Sequence, residues 1–171
     1  MGHPNPTASA QIRNPKNQTM DDLITSILRD IQKELTEEFD LNFERGAFFN
    51  EKWPAKRTGG PSRLQETGKL RKSIQSVITG NRLRFTSSEP YAAIHNEGGE
   101  ITVTESMKKY FWRKFYETGQ RHWKYLALVK TGSKITIPKR QFLGSSPEVE
   151  RAIERVIDDN VRDYLSHLNF K

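Results

Sequence analysis

Cysteine is absent from this chain of 171 residues, which excludes a disulfide scaffold, a thiolate zinc site and a cysteine nucleophile together. Apolar residues are scarce, at 34%, and the mean hydropathy is -0.79. No stretch approaches the roughly 18 consecutive apolar residues that crossing a bilayer takes, and the N-terminus lacks the apolar core of a signal peptide. These absences point to a soluble chain of a reducing compartment with no membrane contact. Common catalytic signatures are missing too. There is no HExxH, and His3, His95, His122 and His167 are scattered along the chain. The Gly-Gly pairs at 59–60 and 98–99 are not followed by GK[ST], so they build no phosphate loop. No GxSxG occurs, and no carboxylate pair sits in an apolar setting that would split its pKa values. His95, beside Asn96 and Glu97, is the candidate for acid–base or metal work; the competing reading is a hydrogen-bonded histidine at a helix end. The chain is therefore read as non-enzymatic, with no catalytic residue, no metal and no cofactor.

Charge is plentiful and unevenly placed within a net +7. Nine acidic and three basic residues lie between Met20 and Glu51, whereas Lys52 to Arg84 holds nine basic residues against Glu66 alone. Phe85 to Glu100 has three Glu and nothing basic, Ile101 to Arg140 has ten basic residues against Glu105 and Glu117, and Gln141 to Lys171 has four basic and six acidic. Alternating blocks of opposite sign suit contacts between copies of one chain, while a polyanion such as DNA is the competing partner.

Residues 1–19 contain three Pro and almost nothing apolar, so they read as a disordered tail. Leu23, Ile24, Ile27, Leu28, Ile31, Leu35 and Phe39 then recur at three- and four-residue spacing as one helical stripe, with Thr19 as N-cap and Asp21 and Asp22 complementing the helix N-terminus. Leu41 to Pro61 reads as an irregular connection ending in a basic loop. Leu64 to Lys72 can form a short helix weakened by Gly68. Ser73 to Thr79 and Arg82 to Thr86 alternate about Gly80-Asn81 as a β-hairpin. Pro90 opens a helical turn that stops at Gly98-Gly99. Ile101 to Thr104 suggests a strand and Glu105 to Thr118 a helix. Trp123 to Val129, the turn Thr131 to Lys134 and Ile135 to Ile137 suggest a second hairpin. Ser145 or Ser146 caps a long final helix starting at Pro147, whose stripe is Val149, Ala152, Ile153, Val156, Ile157, Val161, Tyr164, Leu165 and Leu168. This order predicts an α+β fold, an antiparallel sheet built from hairpins with a long N-terminal and a long C-terminal amphipathic helix covering one face. Residues 20–171 read as a single domain.

Met107 to Lys130 interleaves aromatics with Lys and Arg. Lys108, Lys109, Trp112, Arg113 and Lys114 can either serve a subunit interface or stack on and neutralise nucleic acid. Phe111 and Phe115 fall on one side of the helix and Trp112 and Tyr116 on the other, which suggests two buried faces and an oligomer.

Three segments resemble a known family. Leu64 to Ile74 reads LQETGKLRKSI and is similar to its L-x-x-T-G-x-L-R-x-S-I element. Tyr91 to Gly98 reads YAAIHNEG and resembles Y-A-x-x-H-x-x-G; Ile137 to Gly144 reads IPKRQFLG and resembles I-P-x-R-x-F-L-G. The upstream Trp53-Pro54 resembles a W-x-P/L segment. The family is the phage virion morphogenesis proteins, related to the tail-completion and head–tail joining proteins of long-tailed phages. The basic aromatic segment at about 101–134 is an insertion relative to its compact members. The resemblance implies a non-enzymatic phage or prophage virion protein at the neck or head-proximal tail end, present in the bacterial host cytoplasm before assembly. It also implies a ring of its own copies, six in related members, that contacts connector and tail-tube proteins, with DNA passing nearby. The residues it marks as structural or assembly positions are Trp53, Thr67, Gly68, Leu70, Arg71, Ser73, Tyr91, Ala92, His95, Gly98, Pro138, Arg140, Phe142, Leu143 and Gly144.

Overall fold

A computed structural model describes residues 19–55, 64 and 67–168. The expected tail at 1–19, apart from Thr19, and the Gly59-Gly60-Pro61 loop lie outside these residues. In chain order the elements are α1 (Met20–Arg45), β1 (Ala47–Phe48), β2 (Glu51–Lys52), α2 (Lys69–Lys72), β3 (Ile74–Thr79), β4 (Arg82–Ser87), α3 (Ala92–Glu97), β5 (Gly99–Thr102), α4 (Glu105–Thr118), α5 (Arg121–Leu128), β6 (Lys134–Ile137) and α6 (Pro147–Leu168). The α+β assignment holds, with long helices at both ends. The strands, however, form three two-stranded antiparallel ribbons, β1-β2, β3-β4 and β5-β6, rather than one sheet.

The described residues divide between two compact units, each discontinuous in sequence. One draws on residues 19–35, Ile78–Arg84 and 146–168. Its α1 portion starts as the cap signals predict: Asp22 N donates to Thr19 Oγ1 at 3.2 Å, and Thr19 N donates back to Asp22 Oδ2 at 3.1 Å, a reciprocal cap that satisfies two orphan donors. Leu23, Ile31 and Leu35 are buried on this part of α1, and Val149 and Ala152 on α6. Two polar ties join the helices, Asn160 Nδ2 donating to Asp30 at 2.9 Å and Arg155 pairing with Glu34. Ser146 Oγ accepts from Val149 N at 3.3 Å and so caps α6 as expected. The α6 stripe is wider than the face it buries: Ile157, Leu165 and Leu168 are exposed.

The other unit comprises Thr36–Val77 and Phe85–Ser145. Here α1 runs on to Arg45 where an irregular connection was expected, because Phe39 and Phe43, one turn apart, are both buried and extend the apolar stripe. The helix ends at Gly46, φ 62°. The fully buried Asn42 accepts from Phe49 N at 2.8 Å, which holds Phe49 in the left-handed region at φ 51°. Gly68 precedes α2 as its N-cap, φ 65°, instead of weakening the helix interior.

The expected second hairpin is replaced by a helical excursion. Trp123 to Leu128 belongs to α5, and β6 pairs with β5 in the register Gly99↔Ile137 to Thr102↔Lys134. Two further bonds continue that ladder to the turn, Val103 N donating to Ser133 O at 2.8 Å and Gly132 N to Val103 O at 2.9 Å. Between these ends α4 and α5 pack against each other, with Trp123 stacked on Phe111 at 6.0 Å and edge-on to Tyr110 at 6.0 Å. Thr104 Oγ1 caps α4 by accepting from Met107 N at 3.2 Å.

Candidate functional site

The three marked segments and the Trp53-Pro54 pair meet within one compact unit. Its apolar centre is Phe43, Trp53, Leu64, Leu70, Ala92 and Phe142, with Ile74 and Leu143 packed against it. Phe43 lies edge-on to Trp53 at 5.6 Å and tilted on Phe142 at 5.2 Å. Each marked segment thus contributes at least one side chain to the centre: Leu64, Leu70 and Ile74 from the first, Ala92 from the second, Phe142 and Leu143 from the third.

Hydrogen bonds then fix the run after β6, which has no regular structure and must find partners for its amides elsewhere. Asn96 Oδ1 accepts from Phe142 N at 2.9 Å and from Leu143 N at 3.0 Å. Arg140 N donates to His95 O at 2.8 Å. Trp53 Nε1 donates to Gln141 O at 2.6 Å. The Arg140 guanidinium donates to Pro54 O, at 3.1 Å from Nη2 and 3.3 Å from Nε. The partner of this cation is thus a backbone carbonyl. Pro138 sits just past the end of β6, where its missing N–H removes no ladder bond. Gly98 is obligatory for two reasons: φ is 75°, and a Cβ there would stand 2.8 Å from Lys139 N. Gly144, φ 129°, leaves the run toward α6.

Around α2, Arg71 pairs with carboxylates. It forks onto Asp40 and reaches Glu44 at 2.8 Å, both on α1. These hydrogen bonds, Asp40 first, hold the guanidinium pKa well above its ordinary value. The buried Ser73 donates to Leu70 O at 2.7 Å and shares a bond with Ser87 Oγ at 2.6 Å. Thr67 Oγ1 makes only a long contact to Lys69 N, 3.4 Å.

Tyr91, the N-cap of α3, meets His95 edge-on at 5.8 Å. Burial lowers the His95 pKa, and the nearby Arg140 cation lowers it further, so the imidazole is neutral at pH 7. Its Nδ1 is buried and makes no hydrogen bond to the described residues. Burial raises the Tyr91 hydroxyl, as does its bond to Glu89. Among the described residues no group of three His, Asp or Glu side chains is placed to hold a metal ion, and no helix is long and apolar enough to cross a membrane.

The basic aromatic candidates are grouped separately on α4. No residue of α4 is fully buried. Trp112 stacks on Tyr116 at 6.0 Å and meets Phe115 at 6.1 Å. Lys114 and Arg113 turn to Glu117, at 2.8 and 3.8 Å, and Arg113 lies over Tyr110 at 5.4 Å. Lys108 and Lys109 have no acidic partner among the described residues.

Sequence reasoning missed Asn96, the double acceptor at the centre of the junction, and Asp40, the partner of Arg71. Asn96 lies at an unspecified position of the second segment, and its use depends on residues 46 and 47 positions downstream. Asp40 does carry a signal: with Glu44 it is an i, i+4 acidic pair on α1.

The phage virion morphogenesis family matches residues 16–162 of the chain. No curated protein and no solved structure shows a significant match.

Proposed function

The chain belongs to the phage virion morphogenesis family, and from that premise we propose that it is a non-catalytic part of the virion that completes the tail or joins it to the head, working as a ring of its own copies. The observation that carries this reading is the fate of the marked residues. Trp53, Leu70, Ala92 and Phe142 fill one apolar centre with Leu143 packed against it, Arg71, Ser73 and Arg140 are hydrogen-bonded to Asp40, Leu70 and Pro54, and Gly98 leaves room for the Lys139 backbone. Among the described residues, the marked positions thus serve as a frame, which supports an assembly role. His95 is consistent with this, since its ring packs edge-on against Tyr91 and is half-buried.

A nucleic-acid-binding role for residues 107–130 draws less support. Of its candidates, Arg113 and Lys114 are committed to Glu117, and Trp112 is stacked among neighbouring rings.

The test is a phage lacking the gene for this chain, examined by electron microscopy. Heads without attached tails, or tails of abnormal ending, are expected, with rescue by the wild-type chain. Virions with normal, firmly attached tails would overturn the reading.

A further inference from the structure

Helix α5 carries two patterns. Ala127 is fully buried, and His122, Trp123 and Leu126 are half-buried. On the opposite side Arg121, Lys124, Tyr125 and Leu128 stand at i, i+3, i+4 and i+7, which places all four on one stripe. Tyr125 is 69% and Leu128 60% exposed. Arg121 and Lys124 have no acidic partner among the described residues, and Lys124 Nζ lies over the Phe115 ring at 6.0 Å. Two large apolar side chains and two uncommitted cations thus face solvent together.

Helix α6 carries the complement. Beyond the face that buries Val149 and Ala152, Glu154, Ile157, Asp158, Val161 and Leu165 recur at i, i+3, i+4, i+7 and i+11. Ile157, Leu165 and the neighbouring Leu168 are 37%, 49% and 55% exposed. Glu154 and Asp158 form no ion pair among the described residues, although nearby Glu148 and Asp159 are paired with Arg151 and Arg162. The acidic block of α1 does not offer the same thing. Its Glu34, Glu38, Asp40 and Glu44 are held by Arg155, Arg45 and Arg71 within the chain.

We propose that the α5 stripe of one copy docks on the α6 stripe of the next, the occupant of each being a second copy of this chain. This deepens the ring reading above and rests on it. Both stripes repeat at helical spacing and hold apolar residues between charges. The apolar side chains supply burial, and Arg121 and Lys124 facing Glu154 and Asp158 set orientation and register. Because the two surfaces differ, the contact is head-to-tail: each copy uses one of each, and such contacts build rings or filaments rather than two-fold pairs.

The absence of cysteine makes the test clean. Full-length Tyr125→Cys and Ile157→Cys proteins, the two apolar positions that the Lys124–Asp158 register brings opposite each other, are prepared separately, mixed at low salt and mildly oxidised. The mixed disulfide is expected to form about tenfold faster than either homodimer. Lys124→Glu in the first partner should slow it by about tenfold, and Asp158→Lys in the second should restore it. A mixed disulfide no faster than the homodimers overturns the docking pair. If light scattering still finds oligomers in that case, another surface assembles the chain and the ring reading survives. If a labelled DNA duplex binds instead, and Arg121→Glu with Lys124→Glu abolishes that binding while the mixed disulfide stays unfavoured, the stripe serves nucleic acid and the proposal falls.

Discussion

Replacing Asn96 by Ala tests the junction at its most concentrated point. One side-chain oxygen accepts the amides of Phe142 and Leu143, at 2.9 and 3.0 Å, and Phe142 is buried. Truncation removes both bonds at once and leaves two donors in a part-buried setting, each costing about 1–3 kcal/mol when unsatisfied. Because the site is only partly closed to water, the lower part of that range applies, and a loss of about 2–4 kcal/mol is expected for the pair. For a chain of this size that lowers Tm by about 4–16 °C. Asn96→Asp keeps an acceptor oxygen at the same reach and should recover most of the loss. Denaturant unfolding gives the energy, and amide exchange at Phe142 and Leu143 locates it: protection should fall there before it falls on α1. An Asn96→Ala protein within about 0.5 kcal/mol of wild type, with both amides still protected, would refute the idea that this side chain fixes the run.

Gly98→Ala should destabilise by at least about 1–3 kcal/mol, since it adds a Cβ at φ 75° and 2.8 Å from Lys139 N; a denaturation midpoint equal to wild type would contradict this. Arg71→Lys loses the fork onto Asp40, but the pair is more than a third exposed on the Asp40 side, so the expected loss is no more than about 1 kcal/mol and should shrink in high salt. His95 makes stability pH-dependent. Its folded pKa lies below the ordinary value, so the unfolded chain takes up the proton first, and stability is lost as pH falls through about 6.5 toward the lower folded value. His95→Gln should flatten the wild-type loss between pH 7 and pH 5 in paired melts; identical slopes would remove His95 as its source. Phe142→Ala leaves a hole beside Phe43 in the apolar centre and should cost about 3–5 kcal/mol, measured by urea unfolding.

The elements whose cause is local were legible in the chain. The N-cap at Thr19, the hairpin about Gly80-Asn81, the stop at Gly98 and the cap at Ser146 each follow from side chains within three residues of the event. The errors lie where distant residues decide. Trp123 to Leu128 is a short apolar run that fits a strand or a helix equally well, and it is helical because Trp123 seats on Tyr110 and Phe111 of α4. Pairing β6 with β5 skips more than thirty residues, which no local alternation can signal. Of the candidate site, the marked apolar positions were visible as residues but not as one centre. Their meeting depends on Phe43, which a helix read as ending near Phe39 leaves out.

The ladder between β5 and β6 has a consequence for how such a chain can change. Thr102 and Lys134 stand opposite each other, and the two backbone bonds beyond them already close the gap. Everything from α4 through α5 therefore leaves and returns at a single point. Lengthening, shortening or rewriting that excursion alters loop-closure entropy only logarithmically and leaves the bonds of Asn96, Trp53 and Arg140 where they are. The excursion can be rewritten as one cassette while the frame that carries it stays constant.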